Sequence, residues 1–143
     1  MTQQDNDEGL DWHVRHKNLY GWCFSEEGRK AYIRQHKPIE EQETRLRLMK
    51  RIIGPIPPML IRLCKEASIA GRALDAAQKT RLKARGGSWG VQETYDKTLQ
   101  TWLAVQEKLR SVQEICQPEM ERLHAVECPD CPWNGETIFP GSE

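Results

Sequence analysis

Between Pro58 and Cys116 the apolar positions recur at helical spacing. Leu60, Leu63, Ala67, Ala70, Leu74 and Ala77 step by threes and fours, which is the mark of one helical face. Tyr95, Trp102, Val105, Leu109, Val112 and Cys116 form a second seam, with Thr98 its one polar member. Leu99, Leu103 and Ile115 widen that seam, which suits a bundle core better than an isolated coiled coil. Core packing alone explains both stripes, and neither requires a ligand.

The pattern breaks at Arg85-Gly86-Gly87-Ser88. Adjacent glycines supply the positive φ that a helix end and a sharp reversal need, and Ser88 can cap the second arm. Pro57-Pro58 and Gln117-Pro118 lie at similar distances on either side, roughly 40 Å at about 1.5 Å per helical residue. Proline opposes helix continuation at both far ends. Small residues such as Gly71 would let the first arm approach Trp102 and Tyr95.

The rest of the chain predicts shorter elements. Ser25, with Glu26 and Glu27 after it, opens a helix over 25–35, with acids where the helix dipole favours them. Pro38 starts another over 39–53, with Ile39, Leu46, Met49, Ile52 and Ile53 inward. Gly54-Pro55-Ile56-Pro57-Pro58 is a stiff link. Pro118 begins a last helix over 118–126, with Met120 and Leu123 inward. Trp12, Leu19, Tyr20, Trp22 and Phe24 crowd the segment 10–24, which should bury against the hairpin. No segment reads as a strand. The expected fold class is all-α. It is a small helical bundle built on a long antiparallel helical hairpin, with helices over 25–35, 39–53, 58–85, 89–116 and 118–126. An acidic disordered tail over 1–9 precedes the helical domain 10–127, and a Cys-x-x-Cys knuckle and tail over 128–143 complete the chain.

Composition narrows the function classes. The 143 residues carry 21 Lys and Arg against 21 Asp and Glu, so bulk charge draws the chain to neither nucleic acid nor membrane. No apolar run approaches the roughly 18 residues of a membrane span. The acidic start, Met1 to Glu8, is unlike a signal peptide. Five cysteines, three of them far apart, argue against a disulfide framework and for a reducing, cytoplasmic setting.

The sharpest chemical signal is Cys128-Pro-Asp-Cys131. Two thiolates at this spacing are half of a tetrahedral zinc site, and the neighbouring prolines and Asn134-Gly135 favour turns. His13 and His16 repeat the two-residue spacing and make the preferred second half. His124 with Cys116 is the alternative. The competing reading is a reduced thiol pair in a turn with solvated histidines. Redox catalysis is disfavoured, because no strand precedes the pair.

A second signal is Lys79, Arg81, Lys83 and Arg85, with no acid among them. They suit phosphate or an acidic partner, or they offset the C-terminal dipole of a long helix. Trp89, Val91 and Tyr95 near the tip lie beyond what the short helices can cover, which marks a sticky surface. No phosphate-binding glycine loop, Gly-x-Ser-x-Gly or His-Glu-x-x-His sequence is present. These features together suggest a non-enzymatic protein-interaction protein (adaptor, regulatory or assembly), stabilised by zinc, with a protein partner or self-association. The alternative is a nucleic-acid-binding accessory protein using the basic tip and second helix.

Overall fold

The computed structural model describes residues 8–84 and 89–140. The expected reversal at 85–88, with Arg85, the side chain of Trp89 and the acidic residues 1–7, lies outside them. The elements run β1 (Gly9–Trp12), β2 (Tyr20–Cys23), α1 (Glu26–His36), α2 (Ile39–Leu48), β3 (Lys50–Arg51), α3 (Pro58–Ala84) and α4 (Trp89–Glu127). The chain divides into two compact units, Met1–Ile56 with Pro118–Glu143, and Pro57–Gln117.

The first unit corrects the all-α expectation. It holds a three-stranded antiparallel sheet in the order β2-β1-β3. Gly9, placed in the tail by sequence, pairs with Cys23, and Trp12 pairs with Tyr20. β3 joins through Asp11 opposite Arg51 and Trp12 opposite Lys50. The aromatic crowding over 10–24 is β-propensity, because aromatic rings pack well on a pleated surface. It escapes a period-two search because Leu10, Asp11 and Trp12 are all buried, so no alternation is visible.

The sheet also shortens the second helix. α2 stops at Leu48, and Met49 is extended. The Ile52 N–H then donates to the Leu10 carbonyl at 3.0 Å. Met49 and Ile52 are buried, but on extended chain rather than on a helix face. Ile39 and Ile53, expected inward, are 79% and 88% exposed. Buried Trp12, Ile33, Met120 and Ile138 are the largest side chains of this unit's core. α1 begins under Ser25, whose hydroxyl accepts the Gly28 N–H at 3.0 Å.

Expected helices over 89–116 and 118–126 form one continuous helix with Pro118 inside it. Proline removes one backbone bond and crowds the preceding turn, yet a helix survives this where both flanks favour it. Here Leu109 and Cys116 are buried in the second unit and Met120 and His124 in the first, so each flank of the proline has its own packing.

In the second unit two long helices pack together. Leu60, Leu63, Cys64, Ala67 and Ala70 of α3 and Leu109 and Cys116 of α4 are buried. A Cβ added at Gly71 would stand 3.5 Å from Trp102 Nε1, an ordinary contact distance, so the indole packs against α3 here without requiring a glycine. The Arg81 guanidinium lies 4.2 Å from the centre of the Tyr95 ring. As α3 advances from 71 to 81, its neighbours on α4 recede from 102 to 95, so the helices are antiparallel. No described helix is long and apolar enough to cross a membrane.

Candidate metal centre

The first unit gathers three potential donors from distant parts of the chain. His13, His124 and Cys131 place one ligand atom each within 4.8 Å of one another. His13 leaves the end of β1 at φ 52°, the only positive φ of a non-glycine residue among the described residues. Histidine tolerates this left-handed conformation better than most residues. Its backbone N–H donates to the Leu19 carbonyl at 3.0 Å, closing the 13–19 loop and aiming the ring inward.

Hydrogen bonding fixes the His13 ring. Nδ1 stands 3.2 Å from the Asn18 carbonyl oxygen, which can only accept, so Nδ1 carries the proton and Nε2 keeps a lone pair. That single lone pair faces two groups, His124 Nε2 at 3.0 Å and Cys131 Sγ at 3.2 Å. This pattern, with one ring nitrogen tied to a carbonyl and the other bare, is how metal-binding histidines are oriented.

Local structure supplies the other donors. His124 lies in the last turn of α4 and is buried. Four residues on, the Cys128 N–H donates to the His124 carbonyl at 2.7 Å, continuing the helical path past its last assigned residue. Cys128-Pro129-Asp130-Cys131 then closes a turn, with the Cys131 N–H donating to the Cys128 carbonyl at 3.2 Å. Cys128 is buried and Cys131 half-buried. All five cysteines are thiols.

Aromatic rings wall the cluster. Trp12 meets the His124 ring edge-on at 5.0 Å between centroids, and Trp133 lies 5.2 Å from the His13 ring. Burial pushes His13 down to about 4, with the Asn18 carbonyl opposing and His124 adding to the fall. Burial and Lys50 lower His124. Both rings are therefore neutral near pH 7, the form that donates a lone pair to a metal. Burial raises the Cys128 thiol to about 11, with Lys50 opposing and Cys131 adding to the rise. Burial raises Cys131, against the Trp133 amide and the Arg47 and Lys50 charges. A bound cation would reverse the balance at both sulfurs.

The remaining expected donors are outside this group, Cys128 included, although it stands in the same turn as Cys131. His16 is not in the group: its Nδ1 pairs with Thr137 Oγ1 at 3.3 Å. Its carbonyl accepts the Ile138 N–H at 3.0 Å. It pins the tail instead, together with Asn134, whose Oδ1 accepts the Glu136 and Thr137 amides at 2.9 and 3.0 Å. Cys116 belongs to the second unit and is buried there. The matching spacing of His13 and His16 is misleading, because the loop turns the two rings apart. The better signal is His124 in the last turn of α4 with Cys131 in the turn that follows it.

The basic tip is only partly presented to solvent. Lys79 and Lys83 are exposed, whereas Arg81 is half-buried over Tyr95 and donates to Gln78 Oε1 at 2.9 Å. Val91 and Tyr95 are half-buried rather than bare.

One structural clasp gives no sequence signal. The Glu127 carboxylate accepts Trp12 Nε1 at 2.9 Å and the Ile53 amide at 3.0 Å, and it also accepts the Gly54 amide. Lys50 Nζ donates to the Glu127 carbonyl at 2.7 Å. The end of α4 is thus fastened to β1 and to the segment after β3, beside the cluster. Comparison with known proteins gives no matching family model, no matching curated protein and no matching solved structure.

Proposed function

We propose that the chain is a non-enzymatic protein-interaction protein, with an adaptor, regulatory or assembly role, whose first unit is fastened by structural zinc. His13, His124, Cys131 and Cys128 are the ligands. The observation that carries the metal is the crowding at His13 Nε2. One lone pair faces two groups at 3.0 and 3.2 Å, and only one of them can donate to it. A cation at the meeting point satisfies all three.

Tetrahedral zinc with bonds of about 2.0–2.3 Å sets ligand atoms about 3.3–3.8 Å apart, a few tenths of an ångström beyond those separations. Cys128 is outside the group of three, and we take it as the fourth ligand because it stands in the same turn as Cys131. Two imidazoles and two thiolates fill a structural zinc site and leave no position for substrate.

Support for interaction comes from the second unit. From Leu74 on α3 and from Val91 to Val105 on α4, the seam is half-buried where the lower seam is buried. Leu82 and Leu103 are 63% and 52% exposed. Two helices alone cannot cover a stripe this wide, and a protein partner or second copy would. Exposed Lys79 and Lys83 favour a second reading, a nucleic-acid-binding accessory protein.

Cross-linking in host extract, with the links mapped by mass spectrometry, tests the interaction. Links clustered at Lys79, Lys83 and Lys97 and resistant to nuclease support a protein partner. A strict monomer without such links overturns it. A salt-dependent shift of DNA or RNA, with a slope that shrinks on neutralising Lys79 and Lys83, supports the second reading.

A further inference from the structure

We propose that Cys128 and Cys131 form a peroxide-reactive pair whose oxidation to a disulfide expels the zinc. The inference rests on the reading of a structural zinc site and adds a modification chemistry to the same residues.

The turn brings the two sulfurs within reach of each other. A hydrogen-bonded four-residue turn keeps its end Cα atoms within about 7 Å, and a disulfide needs about 4.4–6.8 Å between them. The Cys131 amide bonded to the Cys128 carbonyl at 3.2 Å closes such a turn, so the sulfurs can join without moving the backbone far. Access selects Cys131 as the point of attack. Cys23, Cys64, Cys116 and Cys128 are buried, and Cys131 alone is half-buried. An oxidant arriving from solvent meets Cys131 first, and Cys128 stands beside it as the resolving thiol.

The chemistry balances with hydrogen peroxide as the oxidant. The zinc-bound Cys131 thiolate attacks one peroxide oxygen, the O–O bond breaks, and the other oxygen leaves as hydroxide, which takes a proton from solvent to become water. Cys131 is then a sulfenic acid. The Cys128 sulfur attacks the Cys131 sulfur, an S–S bond forms, the S–O bond breaks, and a second water departs. Two zinc-bound thiolates, one peroxide and two protons from solvent become one disulfide, two waters and a free zinc ion. The sulfurs lose two electrons and the peroxide gains them. A disulfide is a poor zinc ligand, so His13 and His124 remain as the only donors and the ion is lost. A dithiol reductant reverses the step by exchange.

The test uses the full wild-type chain, isolated with its metal. Hydrogen peroxide is added in steps, released zinc is read with a chromogenic chelator, and disulfides are mapped by peptide mass spectrometry. The expected result is one zinc released per Cys128–Cys131 disulfide, with recovery on adding dithiothreitol and zinc. Zinc retained while other thiols oxidise, or release accompanied by a different disulfide, overturns the proposal. A chain that never carries zinc removes the zinc reading, and this proposal with it. That outcome is seen before any peroxide is added. Because every readout is on the wild-type chain, the test does not depend on a cysteine variant folding.

Discussion

His13 and His124 meet through their Nε2 atoms at 3.0 Å, although 111 positions separate them in the sequence. The contact joins the loop after β1 to the last turn of α4. Without metal it is a single weak hydrogen bond. With metal it is a covalent-strength staple between two parts of one unit. Structural zinc in finger peptides contributes about 10–16 kcal/mol to folding, so its removal should dominate any other single change. Chelator treatment of the isolated chain should lower the melting temperature and broaden the transition. His124→Ala should abolish stoichiometric zinc and reproduce that lower melting temperature, measured by calorimetry beside metal analysis. An unchanged melting temperature after chelation would contradict the staple.

Glu127 makes a prediction that separates fold from metal. Its carboxylate accepts from the Trp12 indole and from the Ile53 and Gly54 amides. Hydrogen bonds to a charged acceptor are worth about 1.5–3 kcal/mol each, less where water reaches. Glu127→Ala should destabilise the chain by about 2–4 kcal/mol in denaturant unfolding and leave zinc stoichiometry unchanged. Burial alone would raise this carboxyl, but the Ile53, Trp12 and Gly54 bonds and Lys50 outweigh it and hold it below its usual value. Its contribution is therefore present above the unfolded value and fades as pH falls through the lower folded one.

Gly54 sits under the same clasp. A Cβ added there would clash with Leu123 Cδ1 and stand 2.9 Å from Glu127 Oε2. Forcing such contacts costs about 1–3 kcal/mol. Gly54→Ala should lower stability by that amount in urea unfolding. If Gly54→Ala instead matches wild type, Leu123 packs loosely against this segment and gives way to the added methyl.

Asp11 gives the chain an unusual pH profile. It is fully buried in β1 and pairs with Arg51 of β3, while Glu26 lies 3.8 Å from the same guanidinium. Burial, with Glu26 as neighbour, pushes its carboxyl up to about 7 against the pull of Arg51. Between the unfolded value and about 7 the folded chain thus holds a proton that the unfolded chain has released. Stability from this group is complete below the unfolded value and is lost as pH rises through about 7. Asp11→Asn should flatten the decline between mildly acidic and neutral pH, by an amount on the order of a few kcal/mol. Unfolding curves at several pH values check the slope, and an unaltered slope in Asp11→Asn would assign the decline to another group.

The long helices are legible in the sequence because their apolar stripes repeat over many turns, from Leu60 to Ala77 and from Tyr95 to Cys116. The sheet is not. Its strands are four, four and two residues long, too short to show a period, and buried Asp11 removes the alternation. The helix through Pro118 is hidden for a related reason. Proline weakens a helix locally, and only the packing of Met120 and His124 on the far side decides the outcome. At the cluster, Cys131 can be read from the Cys-x-x-Cys spacing, whereas Cys128 of the same pair lies outside the group of three. His13 can be named but not chosen over His16, because loop closure by the Leu19 carbonyl sets which ring points inward. Glu127 looks like any exposed helical acid.

X-ray absorption at the zinc edge, on the full chain isolated without chelator, tests the central claim most directly. A His13, His124, Cys128 and Cys131 site predicts about one zinc per chain, with two sulfur neighbours near 2.3 Å and two nitrogen neighbours near 2.0 Å. A zinc bound only by oxygen and nitrogen, or a chain that carries no zinc, would contradict it.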